Sequence, residues 1–368
     1  MKIAYIFNQG RARRVAHISN GNSPREFFYG LPELEGSGHE TGYFEVNPNF
    51  APGIIGGLVN ILGHNGMAPE KMSGGVLFQV KAILHKLQGY DVIVCTTSGI
   101  GFATALWKCL GYALPPVVTI HCGLFNNQYN FFRRWLTSFL LSRMHTILFG
   151  EAELPPLLQK FKGAYGKVTV NQFGVDQQFW HPAKKATSDY ILSVGNDGRR
   201  DFKTLIEAAR GIPLEIKILT SRKLPEKLPA NITPVKSSWH EETVSDEDLR
   251  TLYQHALCVV ITLHDSFQPS GQSVALQAMA CGCPVVITYT KGLWSDDLMK
   301  DNYNVLFVPL YEPRKITRAV ERILNDNNLK KRLSENGQLT VATKSNTVKF
   351  SENLKELLHN ICRENKKI

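Results

Sequence analysis

His264-Asp-Ser-Phe-Gln-Pro-Ser-Gly-Gln-Ser-Val-Ala-Leu-Gln-Ala-Met-Ala-Cys-Gly-Cys-Pro-Val-Val-Ile-Thr288 is the stretch whose reading decides the architecture. Ser270 and Gly271 suit a helix N-cap, and Val274 to Cys281 are good helix formers. Gly282 suits the left-handed position after the last turn, and Pro284 forbids continuation. A strand, Val285 to Tyr289, follows at once. The segment before it, Cys258 to Leu263, is almost wholly apolar, as a parallel strand covered on both faces should be. The unit is therefore strand, loop, short helix, strand, with the helix starting above the carboxyl edge of a sheet.

A doubly wound sheet holds anionic ligands there, because the unpaired amides and the positive end of the helix dipole point at that edge. Ser270, Gly271 and Gln272 let a diphosphate approach the backbone closely. Gln277 lies one turn beyond Ser273 on the same face and leans toward the helix start, within reach of a ribose diol. Spacing alone fits equally well a buried structural unit with a polar cap.

The pattern Ser-Gly-Gln-x-x-x-Leu-Gln-Ala-Met-Ala-x-Gly-x-Pro-Val-Val, residues 270–286, resembles the donor-site signature of the GT-B glycosyltransferases of family 4 (group 1). That large retaining family includes sucrose and glycogen synthases. Its usual pattern has two glutamates separated by seven residues; here Pro269 and Gln277 stand at those positions. The chain resembles a subset with Ser-Gly-Gln before the helix, in which backbone groups and neutral amides take over donor contacts. The resemblance implies an α/β chain of two facing Rossmann-like domains with a C-terminal helix returning to the first. The expected boundaries are 1–175 for an acceptor domain, 176–349 for a nucleotide-sugar donor domain, and 350–368 for the returning helix.

Size agrees with two domains: 368 residues with 43% hydrophobic content build two cores of ordinary size. A formal charge of +10 favours anionic partners such as nucleotide phosphates or a phospholipid surface. Nucleic acid is not an expected partner, because no groove-reading motif accompanies the charge. The seven cysteines are odd in number, form no Cys-x-x-Cys pair, and sit mostly in apolar segments, so they read as free thiols rather than disulfides or a zinc site. Met1 to Phe7 reads as a strand rather than a signal peptide, and no run nears the roughly 18 apolar residues of a membrane span. A cytoplasmic location follows as the expectation, with peripheral attachment at the inner face of the membrane as its variant.

Lys2 to Phe7 is the first strand, and the turn Asn8-Gln9-Gly10 makes Gly10 a candidate at the donor phosphates by resemblance. Ser23-Pro24-Arg25-Glu26 reads as a helix start. Residues 51–75 are glycine-rich without a period. Val76 to Leu87 reads as a helix and Asp91 to Thr96 as a strand. Ser98-Gly99-Ile100-Gly101 then imitates half of a dinucleotide fingerprint but lacks the third glycine and the distal acid. The next strand, Pro116 to Ile120, ends in His121, which matches a family histidine thought to contact the donor sugar or position the acceptor.

Val92 to Gly150 contains no Asp or Glu, against Lys108, Arg133, Arg134 and Arg143. Within it, residues 131–143 read as a basic, aromatic helix that suits either an anionic membrane interface or packing on the first sheet. Val168 to Pro182 resembles the family's linker. Asp189 to Val194 starts the second sheet, and the turn Gly195-Asn196-Asp197-Gly198-Arg199-Arg200-Asp201 before the helix Phe202 to Ala209 suits a phosphate clamp. By resemblance Arg200 touches the donor diphosphate, with Arg199 in reserve and Asn196 beside them. Asp296-Asp297 invites a metal but equally starts a helix, so no metal is assigned.

The resemblance implies a retaining transferase moving a sugar from a nucleotide diphosphate, UDP- or GDP-linked, to a hydroxyl of a glycan or lipid-linked acceptor. His121 and Arg200 are the candidate catalytic residues, no cofactor is expected, and the reaction is expected to be metal-independent. A nucleotide-sugar epimerase of the same architecture, or a catalytically silent nucleotide- or glycan-binding protein, are the competing readings.

Overall fold

A computed structural model describes residues 1–365 apart from 48, 51–56, 58, 62–66, 126–128, 185–188, 238–242, 294 and 296. Much of the glycine-rich 51–75 segment, and Asp296 of the acidic pair, thus lie outside the described residues. The chain divides into two compact units. One is Met1–Ala16 with Phe27–Gln172 and Phe350–Ile368; the other is His17–Glu26 with Phe173–Lys349.

The first unit holds a six-stranded parallel sheet built from β1 (Lys2–Asn8), β2 (Glu40–Val46), β3 (Val92–Cys95), β4 (Val117–Ile120), β5 (His145–Leu148) and β6 (Val168–Val170). Its order is β2-β1-β3-β4-β5-β6. The second unit holds β7 (Tyr190–Val194), β8 (Glu215–Thr220), β9 (Ile232–Lys236), β10 (Ala256–Ile261), β11 (Val285–Thr288) and β12 (Leu306–Val308), in the order β12-β11-β10-β7-β8-β9. Counted within that unit, the order is 3-2-1-4-5-6 with every pairing parallel, the doubly wound arrangement whose direction reverses between β7 and β10.

Burial explains which strands are central. Every residue of β3, β4, β10 and β11 is buried, as their unbroken apolar runs demand of strands covered on both faces. The helix Pro313–Asn325 shows the complementary pattern: Ile316, Ala319, Val320 and Ile323 recur at helical spacing and face the core. The helix Gln272–Ala280 is instead buried at every position but Ser273, because the long Asn327–Lys344 helix lies over it. Gly337 sits so close that a Cβ there would meet Met279 Cγ at 3.2 Å.

Two local expectations are corrected. The helix after β1 starts earlier than Ser23, running Ala12–Ser19, and Glu26–Phe28 forms only a single 3₁₀ turn. Tertiary partners override the local capping signal, because Arg25 and Glu26 are engaged by Asp176, Trp180 and Gln277. Strands β5, β9 and β12 were also not expected, and β6 was expected only as part of the linker. Pro234 inside β9 fits its position at a sheet edge, where a missing amide is tolerated. The seven cysteines are free thiols. Among the described residues no helix is long and apolar enough to cross a membrane, and no group of metal-ligating side chains converges.

Candidate functional site

The loops that leave β7 and β10 flank the reversal point of the second sheet; three hydrogen bonds join them, and a fourth ties the second loop to β11. His264 N donates to Arg199 O at 2.8 Å, Asp201 N to Thr262 O at 3.0 Å, and Thr262 Oγ1 to Asp201 O at 2.7 Å. Arg200 itself pairs with Leu263 in an isolated antiparallel bridge. The fourth bond, from Leu263 N to Thr288 Oγ1 at 3.2 Å, fixes the second loop to the end of β11. Asp201 then caps the helix Phe202–Ala209 by accepting from Thr204 N.

This joining places Arg200 in a socket between two glycines. A Cβ at Gly195 would lie 1.9 Å from Arg200 Nε, and one at Gly271 would lie 3.2 Å from its Nη1. The guanidinium side chain is 4% exposed, and its Nε is 3.0 Å from Asp197 Oδ2 without the N–H pointing at that oxygen. Nη1 is buried and has no hydrogen-bond partner among the described residues. Burial pulls the pKa of Arg200 down and Asp197 opposes it, but a guanidinium stays charged in proteins. A buried cation with an unused donor is costly unless a ligand completes it.

The helix Gln272–Ala280 starts beside that donor. Its N-cap is Gly271 in the left-handed conformation at φ 78°, and no side chain caps its first turn. Ser270 Oγ is a second buried polar atom without a partner. A guanidinium, a hydroxyl and the amino end of a helix therefore converge, which is the chemistry of an anion site. Gly271 is required both by its φ and by space, since a Cβ would approach Ile261 Cγ2 to 2.8 Å.

Gln277 is placed differently from the expectation of a ribose contact. Its Nε2 donates to Glu26 Oε1 at 3.0 Å and its Oε1 accepts from the Tyr253 hydroxyl at 3.2 Å. Both ends of the amide already have protein partners, so a ribose would have to displace one. Glu26 also accepts from Trp180 Nε1 at 2.8 Å and from Asp176 N at 3.1 Å, while Arg25 makes a two-pronged ion pair with Asp176 at 2.7 and 2.8 Å. Sequence reasoning missed this network, because its members are separated by up to 251 positions.

Burial raises the Glu26 carboxyl from 4.5 to about 7, although Gln277 and Trp180 donate to it, and nearby Asp176 adds to the rise. A carboxyl raised on folding contributes stability below its unfolded pKa and loses it as pH climbs through the folded value. The fall therefore occupies the window from 4.5 to about 7. The shift corresponds to on the order of 3 kcal/mol. Chemical denaturation at pH 5 and pH 8 should show a steeper loss for the parent than for Glu26→Gln; equal slopes would refute the assignment.

The remaining expected residues fall in three places. Asn196 is exposed and holds β7 to β8, its Oδ1 accepting from Ser221 N at 2.6 Å and its Nδ2 donating to Ser237 O at 3.1 Å. Arg199 lies in the joined loop, half-buried, and Ser273 is the least buried residue of its helix. In the first unit, Gly10 is exposed in a turn at φ 104°. His121 is fully buried at the carboxyl end of β4, with Nδ1 2.9 Å from Ser98 Oγ and the ring 5.3 Å from that of Phe102. Its Nε2 has no partner among the described residues, and burial with the Lys71 charge pushes its pKa down to about 3. It is thus a neutral imidazole at physiological pH.

Similarity to known proteins agrees with this arrangement. Residues 237–340, which carry β10, the site helix and β11, match the family model described as glycosyl transferases group 1. The sucrose-phosphate synthase of Thermosynechococcus elongatus superposes with a TM-score of 0.70 at 18% identity, covering 98% of this chain and 99% of that one. The Anabaena protein HepE, solved in complex with UDP and glucose, gives 0.68 at 14% identity over 98% and 99%.

The fold is GT-B.

In GT-B terms, the β7–β10 reversal belongs to the second of its two Rossmann-like domains. A lipopolysaccharide core biosynthesis glycosyltransferase of Rhizobium meliloti, LpsE, is 28% identical over 188 residues, 50% of this chain and 52% of that protein. An uncharacterised glycosyltransferase of Methanocaldococcus jannaschii is 27% identical over 114 residues, 30% and 29% of the two chains. The chain thus spans about half, or less, of the curated relatives it matches.

Proposed function

We propose that this protein is a glycosyltransferase that moves a sugar from a nucleotide diphosphate to an acceptor hydroxyl, with retention of configuration. The observation that carries the reading is the buried, unpaired Nη1 of Arg200 beside the Gly271 helix start, at the reversal point of a Rossmann-order sheet. When the sugar departs, negative charge grows on the diphosphate. Arg200, Ser270 and the first-turn amides of the Gly271–Ser273 helix start then stabilise it as fixed donors, in the role that other transferases give a metal. His121, neutral and with a free Nε2, is suited to a sugar hydroxyl rather than to carrying charge. Asn196 and Arg199, in the same turn as Arg200, are further donor contacts, Gly10 keeps that role by resemblance alone, and Gln277 serves by positioning its helix through Glu26 and Tyr253.

UDP is the favoured nucleotide, since the structurally similar HepE binds UDP and glucose. A saturating ligand at 100 times Kd stabilises by about 2.7 kcal/mol. UDP should therefore raise the melting temperature more than ADP or GDP, with EDTA making no difference. A melting point unmoved by all three nucleotides would defeat the donor assignment, and binding without turnover of any UDP-sugar would leave only a silent binder. Product anomers resolved by NMR test retention.

The acceptor is a glycan or lipid-linked sugar, as the likeness to a lipopolysaccharide core enzyme suggests. Attachment to an anionic membrane surface fits the helix Phe131–Leu141. Phe131 is 77% exposed, Phe132 51% and Trp135 54%, with Trp135 stacked on Phe139 and Phe132 tilted against Trp135. Burying such rings in an interface stabilises by roughly 1.5–3 kcal/mol each. Phe131→Ser with Trp135→Ser should cut pelleting with anionic vesicles by about 100-fold or more; unchanged pelleting would remove the membrane from the proposal.

A further inference from the structure

At the amino edge of the first sheet, the opposite end from His121, a cavity of about 290 Å³ opens where β4, β5 and β6 begin. The last helix, Thr347–Asn365, forms its other wall through Leu357 and Ile361. Lys108, Arg143, His145 and Lys167 line it, and Glu364 is its one acidic residue. Among the described residues none of the three permanent cations has an ion-pair partner. Lys108 Nζ donates to Pro115 O at 3.0 Å and Lys167 Nζ to Ser142 O at 2.7 Å, which leaves each ammonium two further N–H groups. His145 is held by Thr169 Oγ1 at 2.9 Å from Nε2.

Three permanent cations gathered around a single acid repel one another. Burial lowers the pKa of Lys108, and burial drives His145 down to about 4; the Lys167 charge adds to both. A surface that accepts such repulsion is matched to an anion. The flanking segment supplies no acid from Val92 to Gly150, so the positive potential is not cancelled locally.

We propose that this cavity is a binding site for a phosphate ester, held by Lys108, Arg143 and Lys167, with His145 beside it. Its position names the source. The Arg143 guanidinium lies 5.1 Å over the ring of Phe139, which stacks on Trp135, so the cavity adjoins the exposed aromatic face. Tyr165, 61% exposed, lies two residues after Gly163, whose N–H donates to Ser138 Oγ of the same helix at 2.8 Å. A headgroup phosphate of an anionic lipid reaches both features at once: its phosphate enters the basic cavity while its chains lie beside the rings. The site is separate from the sugar-transfer site, and its failure would leave that reading untouched.

The test uses the full chain labelled at histidine, with glycerol 3-phosphate as the probe. Titration followed by NMR should raise the His145 pKa by about one unit or more on saturation. Lys167→Gln and Arg143→Gln, both at exposed positions, should each weaken the effect on the order of tenfold. Lys315→Gln, exposed on the second unit, should leave it unchanged. A His145 titration that ignores glycerol 3-phosphate, or responds equally in Lys167→Gln, overturns the site. Phosphatidylcholine vesicles containing phosphatidic acid should displace the probe, whereas pure phosphatidylcholine should not. Displacement by neither vesicle overturns the lipid source and assigns the cavity to a soluble phosphate ester.

Discussion

Replacing Arg200 with leucine is expected to reduce sugar transfer by about three orders of magnitude while leaving the melting temperature unchanged or higher. A unit charge at about 4 Å from a developing charge is worth roughly 4 kcal/mol at an effective dielectric near 20, which is about three decades of rate. Stability moves the other way for a stated reason. The guanidinium is 4% exposed, and among the described residues its only ion-pair partner is Asp197 and Nη1 donates to none. Exchanging an incompletely paired buried cation for an apolar side chain of similar length is often neutral or stabilising. A purely structural arginine would behave in the opposite way, losing stability together with activity. Steady-state rates with a UDP-sugar and differential scanning fluorimetry on the same preparations separate the two. Parent-level turnover in Arg200→Leu would remove the phosphate role.

Gly271→Ala should damage both the stability of the second unit and donor binding. An L-residue held at φ 78° costs about 1–2 kcal/mol before any contact is counted. The added carbon would also sit 2.8 Å from Ile261 Cγ2 and 3.2 Å from Arg200 Nη1, so either β10 or the guanidinium must move. Because the two loops are joined, a shift at the helix start displaces Arg200 as well. A total near 2 kcal/mol lowers the melting point of a unit this size by about 4–8 °C. UDP affinity should fall by about tenfold or more. Normal UDP binding by calorimetry, with an undisturbed melting point, would show that the socket described for Arg200 is not needed.

The parts legible in the sequence were those governed by neighbours in the chain. The helix Phe202–Ala209 has the expected bounds, and Gly282 takes the left-handed conformation, φ 74°, that stops the site helix before Pro284. The all-apolar runs around Val259 and Val286 could only be central parallel strands, and two such systems made two Rossmann-like domains. The half-fingerprint Ser98-Gly99-Ile100-Gly101 shows the limit of that kind of reading. Its glycines serve packing, since a Cβ at Gly99 would meet Lys71 O at 2.0 Å and one at Gly101 would overlap Thr119.

By itself the sequence determined the alternation of strand and helix, the placing of the candidate anion site at a carboxyl edge, and the identity of the turn that carries Arg200. Periodicity and turn chemistry are local properties, and each acts within a few residues. Only the tertiary structure decided that Arg200 lies between Gly195 and Gly271 with a donor to spare, and that Gln277 is taken up by Glu26 and Tyr253. It also gathered Lys108, Arg143 and Lys167 around one cavity. Burial and the pairing of polar groups depend on which distant segments meet, and no window along the chain contains that information.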